Sequence, residues 1–437
     1  MQFRLVSLVV LFLLIYNVNF GYAQVYIEIT QGVNSAYPIG IVPFEWKGID
    51  EQPEDISKII SNDFCNTGKF QVLSESLLPQ KPFNTSEVQP ALWVSLDINA
   101  IIIGQLEKKG NDSYDIAYQL IDIAGQTSTV LLRNKYNVNK EWLRHVAHVI
   151  SNEVFKKLTG IQGSFCTRIA YVARINKKNQ CLYELWVADY DGYNPVVINR
   201  SLEPLMSPAW SADGDNLAYV TFVNKHAVLV IHTLSNGIIR QIVNFSQHNG
   251  APAFSPDGKK LAFASSNTGS LNIYIIDLIS KNIHQITNSR NNSTEPSWFP
   301  DGQNLVYTSD QGGNPQIYKI NANGGNSQRL SWSGISNQNA IVSMDGKFLI
   351  LINKNNDNMQ HVARLNLTTG VTQILTNTLL DETPSISPNG FMIIYSAMQN
   401  GEIYSLQLVS IDGIFKAYLP TINKNEDVRF PAWSPFL

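Results

Sequence analysis

The sequence predicts a multidomain α+β protein: an N-terminal α/β domain with a mixed sheet, followed by a six-bladed antiparallel β-propeller. Three observations lead to this prediction. A turn motif of the type Ser-Pro-Asp-Gly recurs through the last two thirds of the 437 residues, runs of β-forming residues surround the copies, and a different, helix-containing pattern precedes them. A fixed repeat of this length is typical of propeller blades or solenoid units.

The repeat is measured at the third position of each motif. These positions are 44 residues apart up to the fifth copy and 47 apart for the last: Trp210, Phe254, Trp298, Val342, Ile386 and Trp433. Ser, Pro, Asp and Gly in this order suit the four positions of a type I turn, so the recurring acidic residue is interpreted as a turn residue. Each period holds four short strand patterns and no helical pattern, which predicts a four-stranded blade.

The ends of the repeat array predict how the propeller closes. Only two residues follow Pro431–Pro435, so the last copy has an innermost strand but no second strand. The missing strand is found before the first copy, at Thr167–Val172, which shares its Ala-Tyr-Val ending with Leu217–Val220. We therefore expect the C-terminal strand to pair with the start of the array, which removes the exposed edges of an open sheet.

The pattern of residues 1–23 is typical of a secretory signal peptide. A basic Arg4 precedes a short apolar run, and small residues surround the cleavage position after Ala23. The alternative is a membrane anchor, but about twelve apolar residues are short for a span of about twenty. The mature chain is expected to begin at Gln24, and intact-mass measurement of the exported protein checks this. A retained N-terminus would favour the anchor.

Residues 24–160 are predicted to form the α/β domain, 161–166 a linker and 167–437 the propeller. Strands are expected at 39–44, 70–73, 100–104, 114–122 and 129–136, and helices at 53–64, 88–96 and 140–158. The domain begins with an arm, residues 24–35. Within it Val25, Tyr26, Ile27, Glu28, Ile29 and Thr30 alternate as a strand does and are followed by the flexible segment 31–35. The arm either docks on this domain as an edge strand or adds to the sheet edge of a partner.

The net charge, the cysteines and the absence of several catalytic and binding motifs narrow the possible classes of function. The formal net charge of −3 gives no general attraction to nucleic acid. Cys65, Cys166 and Cys181 are an odd number, and the predicted hairpin places Cys166 opposite residues near 190, out of reach of Cys181. We expect three reduced thiols. The sequence contains no Gly-x-Ser-x-Gly motif, no His-Glu-x-x-His motif and no phosphate-binding glycine loop, so we predict no catalytic, cofactor-binding or metal-binding residues.

The segments entering the innermost strands are expected to converge at one mouth of the propeller channel. They carry the candidate binding residues Met206, His248, Asn249, Ala251, Thr294, Glu295, Asp381 and Glu382. Because these candidates include carboxylates, a cation bound at the mouth remains an alternative. Two other functions also remain as alternatives: an exported propeller hydrolase or lyase, and a periplasmic propeller that binds a small ligand.

Long segments of both predicted domains resemble the TolB family of the Tol-Pal envelope system. They include Tyr37–Phe44, Pro204–Trp210, His248–Gly258 and Phe430–Pro435. The resemblance implies a non-enzymatic periplasmic adaptor without cofactors, which reaches the membranes through its partners only. It also implies that the lipoprotein Pal binds the eight mouth residues and that TolA binds residues 25–30. Outer-membrane integrity and constriction at cell division are the implied roles, and colicins and other envelope proteins are further implied partners.

Overall fold

The structure is a computed structural model that describes residues 36–124, 127–177, 180–243, 245, 248–399, 401–419 and 427–437. The predicted signal peptide and the arm lie outside these ranges. Within them, a domain with a mixed sheet precedes a six-bladed propeller, as the sequence predicts.

The N-terminal domain is built on one six-stranded sheet. Its strands β1–β6 are Tyr37–Ile41, Glu45–Lys47, Phe70–Val72, Ala100–Lys108, Ser113–Asp122 and Thr129–Asn139. The order is β3-β1-β4-β5-β6, and β2 follows β1 along the same side of β4. Strand β1 is parallel to β3 and β4, whereas β5 is antiparallel to both of its neighbours, β4 and β6. The sheet is therefore mixed, as predicted.

The described part of this domain contains three α-helices: α1 (Ile56–Asn66), α2 (Pro90–Val94) and α3 (Leu143–Thr159). The side chain of Asp55 caps α1 by accepting a hydrogen bond from the backbone N–H of Lys58, 3.0 Å away. Helix α3 ends at Thr159 and is followed by Gly160, whose φ of 75° is the left-handed conformation that glycine adopts easily. The apolar sides of α1 and α3 pack against one face of the sheet, and Trp93 of α2 is buried against the other.

Two helices are shorter than predicted. The helix expected at 88–96 spans only Pro90–Val94, because proline is favoured at a helix start and Asp97 has a φ of 58° that ends the helical path. The helix expected from Lys140 begins at Leu143, since Lys140–Trp142 form a 3₁₀ turn instead.

Six four-stranded sheets make up the described propeller. In the first blade, strands β7–β9 are Arg168–Lys177, Gln180–Asp189 and Val196–Ser201. The second and third blades contain β10–β17: Met206–Trp210, Asn216–Val223, His226–Thr233, Ile238–Gln241, Asn249–Phe254, Lys260–Ser265, Asn272–Asp277 and Ile283–Gln285. The fourth and fifth contain β18–β25: Ser293–Trp298, Asn304–Ser309, Gln316–Asn321, Gln328–Arg329, Ser336–Val342, Phe348–Lys354, Gln360–Asn366 and Thr372–Ile374. The sixth contains β26–β29: Asp381–Ile386, Met392–Gln399, Ile403–Ser410 and Lys416–Tyr418.

The Ser-Pro-Asp-Gly motifs form turns between the first and second strands of the blades. At Ser255–Gly258, the N–H of Gly258 donates to the carbonyl of Ser255 at 2.8 Å. The Asp257 carboxylate accepts from the Ser255 hydroxyl at 2.6 Å and from the N–H of Lys259 at 3.1 Å. These hydrogen bonds, with that of Ser255 the strongest, lower the pKa of Asp257. The prediction that the recurring acid is a turn residue is confirmed.

Strand β30 (Asp427–Trp433) closes the ring by pairing antiparallel with β7. Trp433 lies opposite Ile169, and its indole N–H donates to the Thr167 hydroxyl at 2.7 Å. The first blade thus combines the last strand of the chain with the first three propeller strands, in the order β30-β7-β8-β9. This confirms the closure predicted from the repeat ends.

The N-terminal domain packs against the face of the propeller that carries these turns. Lys69 forms an ion pair with Asp412 at 2.7 Å, and the side-chain amide of Asn389 donates to the carbonyl of Gln162 at 3.3 Å. The rings of Phe155 and Phe391 lie 6.2 Å apart. One buried apolar cluster joins both domains, so the contact is a shared core and not a loose tether.

All three cysteines are free, and Thr167, next to Cys166, lies opposite Tyr190, as the hairpin register predicts. None of the described helices is long and apolar enough to cross a membrane.

Candidate functional site

The central channel of the propeller forms a cavity of about 840 Å³, which extends from the starts of the innermost strands to the Ser-Pro-Asp-Gly turns. The innermost strands of all six blades, β10, β14, β18, β22, β26 and β30, line it. We call the end of this cavity at the start of these strands the mouth. Because one strand from each blade reaches it, residues far apart in the sequence are brought around a single opening.

Each innermost strand contains a β-bulge at the mouth. The bulge residues have left-handed backbone conformations although none is glycine, with φ between 48° and 55°: Ser207, Ala251, Glu295, Asn339, Thr383 and Phe430. Such a conformation costs about 1–3 kcal/mol per residue and persists only where the surrounding structure enforces it. The bulges interrupt strict alternation, so consecutive residues of one strand face the cavity. They therefore enlarge the surface that each blade presents.

Six of the eight predicted mouth residues line the cavity: Met206, His248, Ala251, Thr294, Glu295 and Glu382. Seven of the eight belong to the innermost strands and not, as predicted, to the loops before them, and only His248 precedes its strand. The innermost strands begin earlier in the sequence than expected, because their pairing with the second strands of the blades continues to the mouth. The pairing of Asn249 with Ser265 is an example.

Asn249 and Asp381 are buried behind the cavity wall, which corrects their prediction as surface contacts. The amide of Asn249 donates to the carbonyl of Phe245 at 3.2 Å. The carboxylate of Asp381 accepts from the hydroxyl groups of Thr376 and Thr378 and from the N–H of Val362. The same repeat position is buried in all six blades, and in four of them it carries a polar side chain: Asn249, Ser293, Asn337 and Asp381. We conclude that the buried side chain at this position anchors the start of the innermost strand.

The mouth carries two carboxylates in different surroundings. Glu295 accepts hydrogen bonds from the hydroxyl of Thr308 and from the N–H of Asn339, both at 2.7 Å. Burial raises its pKa, and these hydrogen bonds only partly oppose that effect. Glu382 accepts from the Tyr404 hydroxyl at 2.9 Å and lies 3.5 Å from the guanidinium of Arg429. Among the described residues, Glu295 forms no ion pair with a cationic group, whereas Glu382 has Arg429 beside it.

The cavity-lining residues outside the eight candidates include the bulge residues of β22, β26 and β30, which are Asn339, Thr383 and Phe430. Asn339 lies in the fifth blade beside the degraded fourth copy of the motif, where Ala340 replaces the usual proline, yet its bulge matches the others. The hydroxyl of Thr383 is buried and has no hydrogen-bond partner within the described ranges. The fixed spacing from Ala251 and Glu295 could have identified all three positions.

The described residues include one group with the composition of a metal site, Asp63, His148 and Asp191, and it lies between the domains and not at the mouth. Each of its carboxylates already has a partner, because Arg144 pairs with Asp191 and the Tyr190 hydroxyl donates to Asp63 at 2.5 Å. The cluster is therefore best described as a polar contact between the domains.

Comparison with known proteins covers both domains. A family model described as "TolB amino-terminal domain" matches residues 25–129, and one described as "TolB beta propeller domain" matches residues 155–437. "Tol-Pal system protein TolB" of Hamiltonella defensa is 61% identical over 417 residues, which are 95% of this chain and 96% of that protein. The protein of the same name from Haemophilus influenzae is 56% identical over 438 residues, covering 99% and 98%.

A solved structure agrees with these matches. The crystal structure of TolB from Acinetobacter baumannii superimposes with a TM-score of 0.81 at 35% identity, covering 92% of this chain and 97% of that one. Since the two family models match both domains and the relatives extend over nearly the whole chain, this chain belongs to the TolB family of the Tol-Pal system.

Proposed function

We propose that this protein is a non-enzymatic periplasmic adaptor of the Tol-Pal system. It binds the lipoprotein Pal at the propeller mouth and TolA through residues 25–30, and so supports outer-membrane integrity and constriction at cell division. The family and the two-domain architecture support the role of an adaptor. The recurring aspartates support the absence of catalysis, because hydrogen bonds within their turns already engage them.

The observation that carries the proposal is the position of the mouth. The domain contacts Lys69–Asp412 and Phe155–Phe391 lie on the turn face of the propeller. The six innermost strands begin at the opposite face, so the N-terminal domain leaves the mouth accessible to a folded partner. An adaptor needs such separation, because two partners then approach from different sides.

The chemistry of the mouth suits a protein surface. Met206, Ala251 and Phe430 contribute apolar area to its lining, and Glu295 and Glu382 contribute carboxylates. Protein interfaces commonly combine an apolar centre with a polar rim. We expect Pal to place an apolar side chain in the cavity and a hydrogen-bond donor or cationic group near Glu295.

Filling the cavity is expected to weaken Pal binding. Ala251→Trp and Thr294→Trp each place an indole in the space that the partner would enter. Each should reduce affinity more than tenfold, or about 1.4 kcal/mol. Isothermal titration calorimetry with the soluble part of Pal measures this loss. The melting temperature should change little, because both side chains face a cavity and not a packed core.

Thr368→Trp is the matched control. Thr368 is exposed in the turn after β24, on the face opposite the mouth. This variant should bind Pal as the unchanged protein does. Unaltered affinity in both mouth variants, or equal weakening in the control, would contradict Pal binding at the mouth.

One observation favours a second function. A cavity of about 840 Å³ is within the usual size of small-ligand pockets, about 300–1,000 Å³. If the mouth holds a small periplasmic ligand, Ala251→Trp should remove a co-purifying molecule detectable by native mass spectrometry, while Pal affinity stays unchanged. The adaptor proposal requires the opposite result.

A further inference from the structure

A buried cluster of charged side chains joins the two domains. Asp63 lies on α1, His148 on α3, and Asp191 in the propeller turn that follows β8. The exposed fractions of these residues are 1%, 2% and 8%. The cluster connects elements of both domains across their interface.

His148 lies between the two carboxylates. Its Nδ1 is 2.9 Å from Oδ2 of Asp63 and 3.1 Å from Oδ1. Its Nε2 faces Oδ2 of Asp191 at 3.7 Å and has no hydrogen-bond partner within the described ranges. Arg144 forms an ion pair with the same oxygen of Asp191.

The charges of the cluster balance only when His148 is protonated. Two carboxylates and one guanidinium leave a net charge of −1 in a buried region, and an imidazolium makes the sum zero. Neutral His148, with the proton on Nδ1, would also direct the lone pair of Nε2 toward a carboxylate oxygen. Buried charges are tolerated when they are paired, so the arrangement favours the imidazolium.

A metal ion would satisfy the same three residues less well. Their ligand atoms lie within 4.8 Å of one another. However, a divalent cation there would stand beside the guanidinium of Arg144 and would compete with the Tyr190 hydroxyl for Asp63. A proton on His148 adds one positive charge, which is what the cluster lacks.

We propose that His148 is a proton-dependent clamp between the domains: as an imidazolium it bridges Asp63 to Asp191, and loss of its proton loosens the N-terminal domain from the propeller. The groups that face this histidine or its carboxylate partners are Asp63, Asp191, Arg144, Tyr190, His145 and Cys166. The clamp goes beyond adaptor function, because it concerns the relative mobility of the domains and not the identity of a partner.

The direction of the pH dependence follows from the pKa of His148. Burial would lower this pKa, but the charge of Asp63, the hydrogen bond to it and the charge of Asp191 together raise it above the ordinary value of 6.5. Burial also raises the pKa of Asp191, against the opposing effects of His148 and Arg144. A raised pKa in the folded state stabilises the contact fully below 6.5, and this stabilisation is lost as the pH rises through the raised value.

The clamp can be tested on the full mature chain. NMR of protein labelled with ¹³C at histidine gives the titration midpoint of each imidazole, and comparison with His148→Gln identifies the His148 signal. Amide hydrogen exchange, corrected for the intrinsic effect of pH, reports interface opening. The amide of Phe165 is a suitable probe, because this residue lies in the linker between the domains and its N–H donates to the Asn152 side chain on α3 at 3.1 Å.

We expect a His148 midpoint above 6.5 and at least tenfold faster Phe165 exchange on the alkaline side of it. His148→Gln should abolish this pH dependence, whereas His145→Gln, on the same helix but without a carboxylate contact, should preserve it. A midpoint at or below 6.5 in the unchanged protein would overturn the proposal even if His148→Gln failed to fold. Stoichiometric stabilisation by Zn²⁺ that depends on His148 would overturn it in favour of a metal site.

Discussion

Removal of Arg429–Leu437 is expected to abolish the cooperative unfolding transition of the propeller. This segment contains most of β30, the innermost strand of the first blade, which pairs with β7. Its loss would expose the edge of β7 and open the ring between the first and sixth blades. An opened propeller has lost the closure that protects its sheet edges, so the blades should no longer unfold as one unit.

The contacts of Trp433 indicate the size of the effect. Its side chain is 7% exposed and its backbone N–H donates to the Ser385 hydroxyl of the sixth blade at 2.9 Å. The carbonyl of Ala432 accepts from the indole of Trp210 in the second blade at 3.0 Å. Truncating one buried tryptophan to alanine alone costs about 3–5 kcal/mol, whereas native domains have a total stability of about 5–15 kcal/mol. Removing the whole strand should therefore exceed the available stability.

Differential scanning calorimetry of the truncated and complete proteins measures this effect. Removal of Phe436 and Leu437 alone is the control, because both side chains are exposed and lie beyond β30. The control should melt close to the complete protein. A truncated protein with an unchanged transition would show that β30 does not hold the ring closed.

The propeller could be predicted from the sequence because the same turn motif recurs along the chain. Six copies of one turn motif define the blade, and even the degraded copy at Ser343–Gly346 keeps the hydrogen bond from Gly346 to Ser343. The N-terminal domain offers one copy of each element, so its boundaries depend on local signals. Strand β4 was predicted to end at Gly104 but continues to Lys108, because pairing with Tyr114 on β5 outweighs the polar character of its last residues.

The position of the mouth was predictable, but the exposure of its residues was not. Asn249 and Ala251 are two residues apart, and the sequence alone does not reveal that a bulge directs one behind the wall and the other into the cavity. The interdomain cluster was also beyond prediction. Asp63 and His148 are 85 residues apart, and only the packing of α1 against α3 brings them together.

Deletion of Gln24–Ser35 is expected to abolish TolA binding while the fold and Pal binding persist. Strand β1 is paired on both sides, with β3 and β4, and the N–H of Tyr37 donates to the carbonyl of Lys69 at 2.9 Å. The deletion ends before this strand, so it removes none of the contacts that the described residues make with one another. The melting temperature should therefore change little, and Pal should still bind at the distant mouth.

The alternation of Val25–Thr30 suggests how the arm binds. If it adds as a strand to a sheet edge of TolA, its backbone N–H groups supply much of the affinity. Proline lacks this N–H, and alternate residues of an edge strand donate to the partner. At least one of Ile27→Pro and Glu28→Pro should therefore weaken binding far more than alanine at the same position. Equal losses for proline and alanine at both positions would contradict strand addition.

The same variants test whether the two partners are coupled. Pal can change TolA binding only if it favours one state of the arm, since a ligand with equal affinity for both states shifts neither. TolA affinity should therefore be measured by calorimetry with and without saturating Pal, and Pal affinity with and without TolA. Coupling requires equal factors in the two directions, and the arm deletion should remove any effect of TolA on Pal. Persistent TolA binding after the deletion would rule out the arm as the contact.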